Sequence, residues 1–207
     1  MSYKILDDLV PKKLQDDIEN ICIDPNFPYY FSKESTYVTL GNKLSETDNS
    51  LKNYKGSVDS FHFIHYLWRN NTRVSNKFLD FMPLIEIMAE QINIRSYPDH
   101  IIPRIYRAKI NFTVPTSTPK KNKITPPHID VSDLNTTTFV YYISDSDGHT
   151  VIFKDKYEDG KIYNKLTVAE KVETKKGRMI VFDDNIHSIL RPKQSDYRIV
   201  LNVNFFK

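Results

Sequence analysis

The stretch "ITPPHIDVSDLNTTTFVYYIS" (residues 124–144) places a histidine and an aspartate two residues apart, just before a run of β-branched and aromatic residues. The run at 136–144 is typical of a buried strand. His128 and Asp130 are alternate residues of an extended chain, so their side chains leave the backbone on the same side. Such a pair can hold a metal ion, but the chain is rich in Asp, and His-x-Asp also arises by chance.

Strand patterns continue on both sides of this stretch. We expect seven short strands, at 104–114, 136–144, 149–155, 171–176, 178–184, 187–192 and 197–206. Asp-Gly at 147–148 and at 159–160 predicts two hairpin turns, and Lys-Gly at 176–177 predicts a third. Short strands joined by tight turns indicate an antiparallel sandwich or barrel rather than alternating βαβ units.

The first hundred residues are mixed in character and contain two helical patterns. One begins at Pro11, a residue favoured in the first turn of a helix, and repeats apolar residues at helical spacing. The other follows Ser75, a candidate N-cap, and contains Pro83, which should kink the helix or start a new one. We expect these helices to cover one sheet of the sandwich.

Length and composition suit one soluble, mainly β domain. The chain has 207 residues, of which 40% are hydrophobic and 27% charged, and its net charge of +3 is too small to indicate nucleic-acid binding, although it does not exclude it. We expect a single domain (1–207), with N-terminal support (1–100) and a core that carries the site (101–207). The single cysteine, Cys22, favours a reducing compartment, hence the cytoplasm. The charged first residues predict no secretory leader, and no apolar run could span a membrane.

The last predicted strand alternates strictly. One face holds Ile199, Leu201, Val203 and Phe205, and the other holds Arg198, Val200, Asn202 and Asn204. If helices cover the apolar face, the Arg–Asn face points into the sandwich. Arg198 then needs an anionic partner, because an unpaired buried charge is costly. The alternative is a one-sided sheet whose Arg and Asn residues face water.

A third metal ligand would have to come from a distant segment. The best candidate is His187, which opens a later strand. Two imidazoles and one carboxylate form the ligand set of non-haem Fe(II) with open positions, and they also suit Mn(II). Asp183 and Asp184 could compete as ligands, although an exposed turn is the more typical setting for them.

Two residues near these ligands suit the recognition of a carboxylate. Arg198 follows His187 by eleven residues, and its planar guanidinium can grip a carboxylate with two hydrogen bonds. Tyr142 follows Asp130 by twelve residues, and its phenol could donate to the same carboxylate.

Three further features remain open. Arg191 shares the side of His187 on an extended chain, so it could contact a substrate. The Pro- and Lys-rich segment 113–127 reads either as a solvated loop or as a lid over the site. His62 and His65 are three residues apart and could share a helix face.

The order of these motifs resembles the Fe(II)- and 2-oxoglutarate-dependent dioxygenases. His-x-Asp is followed by a Tyr-Tyr strand, Gly-x-Thr, Gly-Arg-x-x-x-Phe-Asp, His, and an Arg in the final strand. Within that superfamily the sequence is most similar to the prolyl-hydroxylase-like branch, over residues 104–206. The stretch "FPYYFSKESTY" resembles the short stand-alone members found in bacteriophage genomes, which would place the chain in the host cytoplasm.

The resemblance implies a double-stranded β-helix core of the jelly-roll or cupin-like kind. It assigns iron binding to His128, Asp130 and His187, and 2-oxoglutarate binding to Arg198, Tyr142 and Asn111. At Asn111 this chain departs from the family, which often has a Tyr there.

The same resemblance implies a hydroxylase of a peptidyl or amino-acid substrate that releases succinate and CO2. Its cofactors would be Fe(II), 2-oxoglutarate and O2, with ascorbate as a further candidate. Because Asp130 is not replaced by Gly or Ala, no position is vacated for a halide. The alternatives are a non-catalytic jelly-roll binding protein and a cupin-type metalloenzyme without 2-oxoglutarate. A nucleic-acid substrate and the oligomeric state remain open.

Overall fold

The described part of the chain is built mainly from β-strands. The computed structural model describes residues 3–33, 61–94, 101–115, 124–131, 135–158, 163, 165–183 and 185–207. Their strands are β1 (Tyr3–Leu6), β2 (Tyr30–Ser32), β3 (His62–Arg69), β4 (Thr72–Arg73), β5 (Ile105–Thr113), β6 (Thr136–Tyr142), β7 (Ser146–Lys156), β8 (Val168–Thr174), β9 (Met179–Phe182), β10 (Asn185–Leu190) and β11 (Arg198–Phe206). The helices are α1 (Lys12–Ile23) and α2 (Phe78–Glu90), and a 3-10 turn spans Ile102–Arg104.

Two antiparallel sheets pack face to face. The large sheet has the strand order β1-β9-β6-β11-β5-β3-β2, with β4 paired to β3, and the small sheet has the order β10-β7-β8. Apolar residues of β6, β9 and β11 pack against residues of β7 and β8 between the sheets. The predicted mainly β sandwich is therefore confirmed. Strands from both halves of the chain share the large sheet, which favours the single domain (1–207), still a prediction.

The seven strands predicted in the second half are present as β5 to β11, whereas β1 to β4 were not predicted. The predicted helix face shared by His62 and His65 is wrong, because both residues lie in β3. Residues three apart in a strand point to opposite faces. The two ring nitrogens of His65 lie 2.8 Å from the Pro28 carbonyl oxygen and 2.7 Å from the Ser75 hydroxyl.

The turn predictions have mixed outcomes. Asp147 and Gly148 lie inside β7, so the hairpin predicted there is wrong. The Asp147 carboxylate instead accepts backbone hydrogen bonds from the loop 193–195, which holds this end of β7 against the chain that leads into β11. The Lys-Gly turn is confirmed, with Gly177 at a φ of +87°. The pair at 159–160 lies outside the described residues.

Both predicted helices are present, with differences at α2. Helix α1 starts directly after Pro11, as expected. Helix α2 starts at Phe78 rather than after Ser75, whose hydroxyl accepts a hydrogen bond from the Lys77 backbone N–H. The helix runs through Pro83 without ending, and no new helix starts there. In the described ranges, neither helix is long and apolar enough to cross a membrane.

The two faces of β11 lie in different environments. Its apolar face packs against α1 and α2 in the largest core cluster, which contains Ile199, Leu201, Val203 and Phe205 together with Ile18, Phe81 and Met88. Its polar face is also buried: Arg198 is 1% exposed and Asn204 is fully buried. The Arg–Asn face therefore points into the sandwich, and the alternative in which it faces water is wrong.

Candidate functional site

His128 and His187 are brought together by their backbones. Each backbone N–H donates to the carbonyl of the other residue, at 2.9 Å in both directions. They thus form an antiparallel bridge, and directly opposed residues project their side chains to the same face. The two imidazole centroids lie 4.5 Å apart as a result.

Both imidazoles have their Nδ1 atom engaged and their Nε2 atom available. His128 Nδ1 lies 2.9 Å from the Pro126 carbonyl oxygen, and His187 Nδ1 lies 3.2 Å from the Asn185 carbonyl oxygen. A carbonyl oxygen only accepts, so both Nδ1 atoms carry the proton. Each Nε2 lone pair is therefore available to a metal ion, as in many protein metal sites.

Asp130 completes a set of three potential ligands. Its Oδ2 lies 3.8 Å from His187 Nε2. One ligand atom from each of His128, Asp130 and His187 can be chosen so that all three lie within 4.8 Å of one another. Ligands about 2.0–2.2 Å from a common ion need such spacing. Asp183, a predicted competitor, is exposed and pairs instead with Lys207, at 2.9 Å. Asp184 lies outside the described residues.

The protonation states suit metal binding. Burial lowers the pKa of His128 to about 4, and the neighbouring His187 adds to this shift. Burial also lowers the pKa of His187. For Asp130, burial opposes ionisation, but Arg107 and the two imidazoles hold the pKa of the carboxyl well below its usual range. At neutral pH the three side chains are two neutral imidazoles and one carboxylate, the forms that bind metal ions.

A buried network that the sequence analysis missed holds Asp130. Arg107 Nη2 pairs with Asp130 Oδ1 at 2.9 Å, and Asn202 Nδ2 donates to Asp130 Oδ2 at 2.7 Å. Arg107 also donates from Nε to Asn204 Oδ1 at 2.9 Å and from Nη2 to Asn202 Oδ1 at 3.3 Å. The signal was present in "RAKINFT" (107–113), where polar and apolar residues alternate and the polar ones face the same way as Arg198.

Arg198 is buried in the sandwich, and no carboxylate of the described residues pairs with it. Its Nε donates to Thr174 Oγ1 at 3.1 Å and its Nη2 to Thr150 Oγ1 at 2.8 Å. Its Nη1 has no hydrogen-bond partner among the described residues. Burial lowers the pKa of the guanidinium. The anionic partner that the sequence analysis required is therefore not supplied by the described part of the chain.

Tyr142 and Asn111 lie on either side of Val200 in the large sheet, two residues after Arg198 on β11. The Tyr142 hydroxyl donates to Thr150 Oγ1 at 2.7 Å, and its ring centroid lies 5.3 Å from the Arg198 guanidinium carbon. Tyr142 does not itself line the cavity, whereas Thr150 and Asn111 do. Thr150 was not singled out from the sequence, although it is the Thr of the Gly-x-Thr motif.

These side chains line one cavity between the sheets. The space between these side chains, including the part that is open to solvent, is about 620 Å³. His128, Asp130, His187, Asn111 and Arg198 all line it. Arg191 also lines it, as the sequence allowed, and donates to the backbone carbonyls of Phe61 and Val114. Residues 116–123 of the predicted lid lie outside the described residues.

The arrangement can hold one divalent cation and one organic anion side by side. Two Nε2 atoms and a carboxylate oxygen offer three ligands and leave coordination positions open. The buried guanidinium offers an N–H and a positive charge to an anion in the same cavity.

No family model and no curated protein matches the sequence. Three of the many solved structures that resemble the chain illustrate the likeness. They are a prolyl hydroxylase from Trichoplax adhaerens in complex with a hypoxia inducible factor peptide fragment (TM-score 0.57, 12% identity, covering 99% of this chain and 83% of that one), a prolyl-4-hydroxylase from Pseudomonas putida (0.56, 13%, 100% and 92%), and the epimerase SnoN in complex with Fe3+, alpha ketoglutarate and nogalamycin RO (0.54, 8%, 100% and 79%). At these identities the likeness shows the fold.

The chain thus has the double-stranded β-helix fold of the 2-oxoglutarate–Fe(II) oxygenases, including prolyl hydroxylases. The predicted fold class and the predicted resemblance are confirmed at that level.

Proposed function

We propose that this chain is an Fe(II)- and 2-oxoglutarate-dependent dioxygenase. The observation that carries the proposal is the juxtaposition, in one cavity, of three potential metal ligands within 4.8 Å of one another and a buried guanidinium that lacks an anionic partner among the described residues. The fold agrees with this function, and the ligand set suits Fe(II).

The residues fit the metal. His128 and His187 would bind it through Nε2, since each Nδ1–H is held by a backbone carbonyl. Asp130 would bind through Oδ2 alone, because Arg107 engages Oδ1. Three protein ligands leave room in a six-coordinate ion for other oxygen ligands.

The residues also fit 2-oxoglutarate. The distal carboxylate would accept a hydrogen bond from the orphaned Nη1 of Arg198, which removes a buried unsatisfied donor. Thr150 Oγ1 already accepts from Tyr142 and Arg198, so its own proton is left to donate to the same carboxylate. Tyr142 would then act by orienting Thr150 and covering Arg198, and Asn111 would contact the cosubstrate nearer the metal.

When bound, the metal and 2-oxoglutarate would use O2 to oxidise a C–H bond of the substrate, with succinate and CO2 as coproducts. The chain's own side chains bind and orient the reactants and keep the reacting centre dry between the sheets. We propose hydroxylation of a peptidyl or amino-acid substrate, supported by the intact Asp130 and by the peptide in the Trichoplax structure. Because an epimerase has a similar fold, the fold alone does not determine whether the reaction is a hydroxylation. We also propose a cytoplasmic setting, since Cys22 is a free, buried thiol.

The test measures cosubstrate binding and turnover separately. Without oxygen, adding 2-oxoglutarate to the Fe(II)-loaded chain should produce an iron-dependent absorbance band. After oxygen is admitted, succinate should form, and a panel of peptides, amino acids and nucleotides should reveal which class raises its rate. Ascorbate is tested as an additive in the same assay.

Variants test which residues bind the metal ion. His187→Ala and Asp130→Ala should lose both the band and succinate formation, whereas His149→Ala, on β7 and outside the cavity lining, should keep both. Metal binding without any effect of 2-oxoglutarate would favour a cupin-type metalloenzyme, and absence of metal binding would favour a binding protein. Full succinate formation by His187→Ala would overturn the ligand assignment.

A further inference from the structure

Lys109 is a cation in the cavity wall that the proposed chemistry does not use. It lies on β5, where its Cα is paired with Asn202 of β11 on one side and with Tyr66 of β3 on the other. Because alternate residues of a strand share a face, Lys109 points the same way as Arg107 and Asn111. Lys109 lines the cavity together with the three potential metal ligands.

The ammonium group of Lys109 has no ion-pair or hydrogen-bond partner among the described residues. Among the described residues, the Tyr66 ring lies beside it, with the ring centroid 5.9 Å from Nζ. Burial, together with the nearby Arg107 charge, lowers the pKa of Lys109 to about 7. The side chain is half-buried, and an ammonium in a partly desolvated cavity without an anion is unfavourable, so a ligand that brings the opposite charge would stabilise it.

The other charged side chains of the cavity are engaged, and among them Arg191 donates to the backbone carbonyls of Val114 and Phe61. Asp130, the one carboxylate among the described lining residues, is paired with Arg107. Arg198 is the proposed partner of the distal carboxylate of 2-oxoglutarate. His62, also on the cavity wall, is kept neutral because burial lowers its pKa to about 3. Lys109 is therefore left without an anion when metal and cosubstrate are bound.

Lys109 and Arg198 leave the large sheet at different points along its strands. Arg198 is paired with Thr113, and Lys109 is four residues earlier on that strand, or about 13 Å along the sheet. Lys109 instead lies beside Asn202, which donates to Asp130 Oδ2. Its ammonium thus borders the metal end of the cavity, where the reacting C–H bond would lie.

We propose that Lys109 binds an anionic group of the prime substrate, a carboxylate or phosphate held close to the reacting carbon. This inference rests on the proposed function and narrows it. It favours a substrate whose acid group is near the oxidised position, such as a free amino acid or a C-terminal residue, over the interior of a neutral peptide. His62 Nδ1, buried and without a partner among the described residues, offers a second, uncharged contact on the same wall.

The test uses the full chain loaded with Mn(II) and 2-oxoglutarate under exclusion of oxygen. The probes are matched pairs that differ in one charge: N-acetyl amino acids against their amides, and nucleoside monophosphates against their nucleosides. Calorimetric titration gives each dissociation constant. We expect at least one acid to bind about ten- to a hundredfold tighter than its neutral partner, as for other charge-assisted contacts. The pair that shows the preference identifies the source of the anion.

Three variants assign the preference to Lys109. Lys109→Met should abolish it, Lys109→Arg should retain much of it, and Lys154→Met, an exposed lysine on β7, should leave it unchanged. Lys109→Met should also melt at a higher temperature than the wild type without ligands, because it loses a half-buried ammonium that has no anionic partner among the described residues. The same melting experiment would reveal a variant that fails to fold.

Two kinds of failure can be told apart. If Mn(II) and 2-oxoglutarate do not bind, the proposed function itself is wrong. If both bind but no acid is preferred over its neutral partner, or if Lys109→Met keeps the preference, only the role of Lys109 is overturned.

Discussion

Arg107 and Asp130 form a buried ion pair with 2.9 Å between Nη2 and Oδ1, and their side chains are only 10% and 8% exposed. The pair joins the central strand β5 to the segment that carries the proposed metal ligands. It neutralises a carboxylate that would otherwise be buried next to two neutral imidazoles. The other oxygen, Oδ2, accepts a hydrogen bond from Asn202 and lies 3.8 Å from His187 Nε2, on the side of the proposed metal ligands.

Removal of Arg107 should make the folding stability of the protein depend more strongly on a bound metal ion. In Arg107→Met the Asp130 charge is left uncompensated, so the metal-free protein should lose about 3–5 kcal/mol of stability at neutral pH. A bound cation restores the missing charge, so Mn(II) should raise the melting temperature of the variant more than that of the wild type. The matched control is Arg178→Met, which removes a surface pair with Asp7 and should cost about 0–1 kcal/mol. Equal effects of Mn(II) on wild type and Arg107→Met would contradict this coupling.

Substitution of Arg198 should affect cosubstrate binding and spare the metal. Loss of the charge-assisted hydrogen bond from Nη1, worth roughly 1.5–3 kcal/mol, should raise the KM for 2-oxoglutarate about ten- to a hundredfold in Arg198→Met, with Mn(II) affinity unchanged. Arg104→Met is the control, since Arg104 is exposed and donates to the Lys207 carbonyl. An unchanged KM in Arg198→Met would place the cosubstrate elsewhere.

Gly148 permits the close packing behind Arg198. A Cβ at this position would lie 2.8 Å from the Leu190 carbonyl oxygen, 2.9 Å from the Pro192 nitrogen and 3.1 Å from Arg198 Cδ. Because two of these are backbone atoms, Gly148→Ala should destabilise the fold by about 1–3 kcal/mol and should also raise the KM for 2-oxoglutarate by displacing Arg198.

The control for Gly148 is a second glycine. Gly177→Ala should also be destabilising, since Gly177 has a φ of +87° and its Cβ would meet the Gln15 side chain. It lies away from Arg198, so its KM should stay at the wild-type value. A similar KM for both variants would show that Gly148 has no specific effect on the site.

The Asp147 carboxylate should contribute stability that depends on pH. Burial opposes its ionisation, but backbone N–H groups of Ser195, Lys193 and Gln194 donate to it, and the net effect lowers its pKa from 3.8 to about 2. A carboxyl whose pKa is lower in the folded state stabilises the fold above its unfolded pKa. That contribution is lost as the pH falls from about 4 to about 2.

Asp147→Asn should therefore cost about 1.5–3 kcal/mol in urea unfolding at pH 7, and the difference from the wild type should shrink as the pH falls below 4. The control is Asp17→Asn, at an exposed carboxylate paired with Lys13, which should cost well under 1 kcal/mol both at pH 7 and below pH 4. A difference for Asp147→Asn that stays constant down to pH 2 would mean that the charge of Asp147 is not what stabilises the loop.

Local patterns in the sequence predicted much of the fold. Strand-like patterns located β5 to β11, and the strict alternation of β11 predicted an apolar face and a polar face, but it left open whether the polar face is buried or faces water. The prediction failed where local and tertiary preferences differ. The Asp147–Gly148 pair favours a hairpin turn, yet hydrogen bonds from residues 193–195 hold it inside β7. The aromatic stretch of β3 had no clear period, and its pairing with β2, β4 and β5 makes it a strand.

The sequence by itself determined that His128 and Asp130 project to one side of an extended chain, and that Arg198 lies on a polar face opposite an apolar one. Only the tertiary structure decided that His128 pairs with His187, that Arg107 meets Asp130, and that Lys109 borders the same cavity. Side-chain direction within a strand follows from the backbone of that strand alone. Which strand it pairs with, and in which register, depends on hydrogen bonds and packing with distant segments. A shift of the pairing by one residue would turn the side chains of that strand to the other face.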